Sequence, residues 1–256
     1  MAVQLPFNQT LIKVADQAYF LKSFFRNIFK KGFEWDEFFR QLYVIGYRSI
    51  GIVALTGFIL GVVLTLQSIP SFKAFGAEGY IPGMVSVSVI REIGPVIIAL
   101  ICAGKIASSI GAELGSMSVT EQIDAMEVSG ANPVQFLVVT RILACTIMIP
   151  LLTVFADGMA LIGSYLANAA SSGISLHLFF YKATNILDYG DLLPAFIKTI
   201  FFGFAIGFIG CFKGFSANGG TASVGTAANS AVVTASVWII IIDAIIVQVS
   251  NSLLYS

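Results

Sequence analysis

The sequence predicts an all-α polytopic membrane protein. About five transmembrane helices follow an amphipathic interfacial helix, and a short cytoplasmic helix joins spans two and three. Three observations carry this. Hydrophobic residues make up 57% of the 256 residues. Charged residues make up 11%, where a soluble domain carries roughly 25%. Five apolar stretches reach or exceed the roughly 20 residues that a bilayer crossing needs. The polar surface is too small to cover a water-exposed globule of this size, which excludes an ordinary soluble enzyme. Fourteen bases balance fourteen acids, which removes nucleic acid as a partner, since that demands a basic face.

Residues 1–48 form a cytoplasmic or interfacial segment. Lys13, Lys22, Arg26, Lys30, Lys31, Arg40 and Arg48 stand against Asp16, Glu34, Asp36 and Glu37, a surplus of three bases. No apolar core with a small-residue cleavage site follows Met1, so no signal peptide is expected. Phe20, Leu21, Phe24, Phe25, Ile28 and Phe29 recur at helical spacing while Lys22, Arg26 and Lys30 take another face. That pattern suits a helix lying in a membrane surface, or one packed on a partner. Phe33, Trp35, Phe38, Phe39 and Tyr43 continue the aromatic theme.

Residues 49–256 form the transmembrane domain. The stretch 49–72 holds no charge and would run about 36 Å as a helix. The second span, 81–112, contains Arg91, Glu92 and Lys105. The third, 136–168, contains Asp157 and is long enough for one end to project from the bilayer. The fourth, 192–212, contains Lys198, and the fifth, 231–249, contains Asp243. The basic amino terminus places that end in the cytoplasm. Five crossings then put 113–133 and the turn after Lys213 inside, and 171–191, with His177, Lys182 and Asp188, outside as a loop. The small-residue stretch 216–230 reads as a compact turn entering the last span. Gly57/Gly61, Gly111/Gly115 and Gly203/Gly207 allow close helix approach.

A charge facing lipid is costly, so ionisable residues at membrane depth pair with one another in the interior. Arg91, Glu92, Lys198 and Asp243 come from three spans and sum to zero. They are expected to form an intramembrane charge network, with Glu92, Lys198 and Asp243 buried together. At the end of span one, Pro70 is expected to disrupt the helix. That would free Leu64, Ile69, Phe72 and Phe75 to line an apolar lipid-binding cavity between two copies of the chain, although an aromatic interface anchor accounts for Phe72 and Phe75 nearly as well. Cys102, Cys145 and Cys211 form no CxxC or Cys/His cluster, so buried thiols and no metal site are expected.

Between spans two and three, Glu113, Glu121, Asp124 and Glu127 are four carboxylates with no base from 106 to 140. Thr120 or Ser118 could cap a helix over about 119–128. Val119, Ile123 and Met126 would share its apolar face, and Gly130 and Pro133 would end it. A basic protein surface is its natural mate, the alternative being a solvated acidic loop. No Walker A loop occurs, since Gly104-Lys105 is followed by Ile106 and Ala99 stands where the first glycine belongs.

The runs Arg91-Glu92-Ile93-Gly94-Pro95, Gly111-Ala112-Glu113-Leu114-Gly115-Ser116-Met117 and Thr120-Glu121-Gln122-Ile123-Asp124-Ala125-Met126-Glu127, with Asn132-Pro133 and Arg141, resemble the MlaE family. So does the segment from Gly219-Gly220-Thr221-Ala222-Ser223-Val224-Gly225 through Ala231-Val232-Val233 to Asp243. These are permease subunits of ABC transporters that move phospholipids between bacterial membranes. The likeness covers roughly residues 40–250, and Lys105 stands where the family often has arginine.

The resemblance implies a multi-pass protein of the bacterial inner membrane. It would work with a second copy of itself, an ABC ATPase and an MCE-domain substrate-binding protein on the outer side. This chain would hold no cofactor, because ATP and Mg would be bound by the ATPase. Glu113, Val119, Glu121, Ile123, Asp124, Met126 and Glu127 would then be the coupling segment, with its acidic edge on the ATPase and its apolar residues filling a cleft there. A permease for another hydrophobic or small solute is the alternative, but spans rich in Phe, Ile, Leu and Val suit acyl chains. A membrane enzyme would need a nucleophile-and-base or metal constellation, and one loop histidine supplies none. A structural organiser that transports nothing is the remaining reading.

Overall fold

In the computed structural model, the structure describes residues 6–30 and 32–254, with the backbone alone for 6–14, 253 and 254. Lys31 and the side chain of Lys13, two of the seven amino-terminal bases, lie outside the described residues. Among the described residues there is no strand. The helices are α1 (Pro6–Ile28), α2 (Trp35–Gly46), α3 (Ile50–Ala74), α4 (Ile81–Ser88), α5 (Gly94–Cys102), α6 (Ser108–Val119), α7 (Gln122–Val128), α8 (Thr140–Ser172), α9 (Leu176–Asn185), α10 (Tyr189–Phe215) and α11 (Thr221–Leu254). Five continuous helical segments are long and apolar enough to cross a membrane: Trp35–Ala74, Glu78–Val119, Val134–Ser172, Tyr189–Phe215 and Thr221–Ser252.

Span three is the most buried and span five the least. Lipid tails are as apolar as leucine, so helices gain nothing by hiding apolar surface from them. Close backbone packing must hold the bundle instead. The seam between α3 and α8 shows how. A side chain on Gly57 would strike the Ala156 carbonyl, one on Gly61 the Ala160 carbonyl, and one on Gly163 the Phe58 carbonyl. Thr65 and Ser164 share a buried hydroxyl hydrogen bond of 2.6 Å on the same seam. Gly203 and Gly207 lie as closely on Cys145, Thr146 and Ile142 of α8, while Gly111 faces Ala227, Ala228 and Ala231 of α11.

The amphipathic helix α1 packs on the bundle of its own chain. Phe20 stands edge-on to Phe208 and Phe212, with ring centroids 5.7 and 5.6 Å apart. Phe24 is buried against Phe204, while Lys22, Phe25, Arg26 and Phe29 stay exposed. The helix α2 runs through a 3-10 turn, Tyr47–Ser49, directly into α3. The helical rod therefore continues across the expected 48/49 boundary. Phe38 and Ile45 turn inward while Trp35, Phe39, Tyr43 and Tyr47 remain exposed.

Several local expectations are corrected. Pro70 lies inside α3, which continues to Ala74, so it does not break the first span. The 171–191 stretch is no open loop. Its helix α9 is capped by Ser175 Oγ, which accepts from the Leu178 N–H, and is anchored by Phe179 against Tyr165, with His177 exposed. The turn before the last span is confined to 216–220, because α11 already begins at Thr221 after Gly219 and Gly220 at positive φ. Span two is interrupted by two π-helical turns, Val89–Ile93 and Ala103–Ala107. The first carries Arg91 and Glu92 and runs straight into Gly94-Pro95, where proline has no N–H to return to the preceding turn. Such turns mark functional sites often enough to direct attention there.

Candidate functional site

Lys198 on α10 is 2% exposed, so its ammonium needs partners within the bundle. It has two. Nζ donates to Glu92 Oε2 at 2.7 Å and to Asp243 Oδ1 at 3.0 Å. One cation from span four thus joins the π-helical turn of span two to span five.

Arg91 sits beside this cluster but is engaged elsewhere. Its Nη1 donates to Asp191 Oδ1 at 3.2 Å and its Nη2 to Asn251 Oδ1 at 3.1 Å. The structure brings Glu92, Lys198 and Asp243 together, and Arg91, expected among them, instead centres an adjoining pairing with Asp191 and Asn251. Asp191 also closes a capping box with Asp188 at the start of α10, which fixes where its carboxylate points. Asp191 and Asn251 were not singled out from the sequence. The Asp188–Asp191 spacing at a helix start was the only available signal, and it spoke of capping.

Arg91, Glu92, Asp191, Lys198 and Asn251 line a small polar pocket with Gly190, Pro194, Ile246 and Ser250. Those four residues also line a second cavity of about 510 Å³, whose other walls include Leu193, Ile197, Phe201 and Val249. An apolar groove between α10 and α11 therefore ends against charged and amide groups. This arrangement can hold an amphiphile, with chains along the groove and a polar end at the cluster.

Within this chain, three of the four residues expected to line a lipid cavity on span one pack against neighbouring helices. Leu64, Ile69 and Phe72 are partly buried and pack against Ile81, Val85, Val89 and Ala160. Phe75 alone is fully displayed, at 86% exposure. With Pro70 accommodated in the helix, the inward side of α3 closes on α4 rather than opening.

At the other end of the bundle, α6 and α7 are separated by Thr120 and Glu121. Glu121 adopts a left-handed backbone with φ 57°. The expected caps act otherwise. Thr120 Oγ1 donates to Ser116 O at 2.8 Å, and Ser118 Oγ donates to Ala217 O at 3.1 Å. Ile123 is buried and, with Met126, packs on the chain's own core, so these two do not form an outward apolar face. Val119 is half-buried. The outward surface includes Glu121, Asp124, Glu127 and Val128. Glu113 stands apart from that edge, accepting from Arg141 Nη2 at 2.8 Å. Behind α7, Asn132 Nδ2 donates to Asn27 Oδ1 at 2.7 Å, tying the loop to α1. Lys105 Nζ donates to the Arg48 backbone carbonyl, which anchors the second π-helical turn to the start of span one. Cys102, Cys145 and Cys211 are free and buried in the bundle.

Five apolar helices with small-residue seams, and a groove between two of them that ends on a charge cluster, define a polytopic membrane protein. Comparison with known proteins gives the family. The Permease MlaE model matches residues 38–249, so the chain belongs to the MlaE permease family of ABC transporter permeases. A probable ABC transporter permease protein of Rickettsia typhi is 37% identical over 82% of this chain and 81% of its own. A probable ABC transporter permease protein of Synechocystis is 34% identical over 76% and 74%. The Arabidopsis chloroplast protein TRIGALACTOSYLDIACYLGLYCEROL 1 is 34% identical over 84% of this chain and 62% of its own.

Proposed function

We propose that this permease moves phospholipid between the bacterial inner membrane and an MCE-domain protein on the outer side, driven by a separate ATPase that binds ATP and Mg. The observation that carries this is the apolar groove of about 510 Å³ sharing Gly190, Pro194, Ile246 and Ser250 with the pocket of Arg91, Glu92, Asp191 and Lys198. Burying each acyl methylene gains roughly 0.8 kcal/mol, and the cluster offers charge to a headgroup at the groove's end. Leu193, Ile197, Phe201 and Val249 take the chains, a place reassigned from span one. The glycolipid in the name of the Arabidopsis relative is consistent with a lipid substrate. Span five is the least buried, which suits a second copy of the chain beside it. The exposed acidic edge of α7, with Val128, is the surface offered to the ATPase.

Photocrosslinkers at Ile197 and Phe201, in the permease assembled with its ATPase, test this reading. They should label phospholipid well above crosslinkers at Leu64 and Phe72, which face α4. Equal labelling at all four positions would remove the groove as the lipid site.

A further inference from the structure

Asp157, midway along α8, is an acidic residue at membrane depth that neither pairing uses. Its Oδ1 is buried with no hydrogen-bond partner. It lies against the π-helical turn of span two, since a side chain on Gly94 would collide with both Asp157 Oδ1 and the Val89 carbonyl oxygen. Two acceptor oxygens therefore crowd one glycine, and the Val89 oxygen, which already accepts from the Gly94 N–H, keeps a second lone pair. A cavity of about 160 Å³ adjoins the carboxyl, with Thr153, Ile90, Phe196 and Thr199 among its walls. Thr153 Oγ1 and Thr199 Oγ1 donate to their own helices, to Ile149 O and Phe196 O. The charged groups on neighbouring elements are engaged as well. Arg91 holds Asp191, and Lys198 holds Glu92 and Asp243. On the α3 side, Gly57 and Leu60 bring no charge.

An ionised carboxylate in apolar surroundings is costly unless it is paired and hydrogen-bonded. We propose that Asp157 carries a proton and donates it to the π-helical turn, with Val89 O as acceptor, and that this bond positions Arg91 and Glu92 for the substrate. Asp157 is thus a positioning residue that acts through the turn carrying those two groups. The inference rests on reading the charge cluster as the substrate site, so its test has one arm that does not depend on transport.

Infrared spectra of the permease assembled with its ATPase in phospholipid vesicles provide that arm. At neutral pH, the wild type should show a protonated-carboxyl C=O band that Asp157→Asn lacks. In lipid transport, Asp157→Asn keeps a neutral donor and should retain at least half of the activity. Asp157→Leu should lose roughly tenfold, as expected for the loss of one hydrogen bond to the turn, at normal insertion. Absence of the band overturns the proton. Asp157→Asn as inactive as Asp157→Leu, or Asp157→Leu at wild-type activity, overturns the positioning role. Should Asp157→Leu fail to insert, the band and Asp157→Asn still decide the matter.

Discussion

Arg141 Nη2 donates to Glu113 Oε1 at 2.8 Å, with the arginine side chain 1% exposed and the glutamate 46%. The pair binds the end of span two to the start of span three, at the base of the short helix α7. Arg141 Nη1 also donates to Leu137 O at 2.9 Å. The two halves of the pair are unequal, because only one of them is buried.

Removing the exposed partner should therefore cost more than its exposure suggests. Glu113→Ala leaves a buried guanidinium without its counter-ion and should destabilise the protein by about 2 kcal/mol. Arg141→Met, which fills the space and leaves a half-exposed carboxylate, should cost less. Thermal unfolding of the two variants in detergent checks the order.

Lys198→Ala strips Glu92 and Asp243 of their shared cation. Breaking a buried pair costs about 3–5 kcal/mol, reduced here because Glu92 is 41% exposed. Membrane yield and transport should both fall. Adding Glu92→Gln and Asp243→Asn should restore yield but not transport, which separates folding from substrate handling. Wild-type transport by Lys198→Ala at normal yield would show the cluster to be dispensable.

The charge reversal Glu121→Lys with Glu127→Lys should abolish lipid-stimulated ATP turnover while leaving the protein inserted. Val128→Asp should act in the same way, since Val128 is 90% exposed on the same surface. Ile123→Asp should instead lower the thermal midpoint of the permease itself, because Ile123 packs inward. A double reversal that still binds and drives its ATPase would reassign α7.

Gly61→Ala should weaken the α3–α8 seam by about 1–3 kcal/mol, because the new methyl meets the Ala160 carbonyl. Gly51→Ala, with nothing within 4 Å of the added carbon, should be neutral or slightly stabilising. Detergent melting curves of the two variants make the comparison.

The number of spans was legible because hydropathy is a local property. The stretch 49–72 needs no knowledge of its neighbours to be read as membrane-crossing, and the helix α3 covers it. The need of Lys198 for acidic partners was legible too, since the cost of an unpaired charge in lipid holds wherever the partner lies. Its actual partners stand 106 and 45 residues away. Only two candidate carboxylates outside Asp157 lay on the other apolar spans, which narrowed the choice.

What the sequence by itself determined is thus the helical class, the five crossings, the amphipathic character of α1 and the obligation of intramembrane charges to pair. Tertiary structure alone decided that Arg91 takes Asp191, that Leu64 and Phe72 close on α4, and that Ile123 turns into its own core. The reason is physical. In lipid every face of an apolar span is equally acceptable, so hydropathy says that a helix crosses but not which side meets its neighbour. That choice falls to close contacts such as Gly61 on Ala160, and to the handful of polar groups that must find each other.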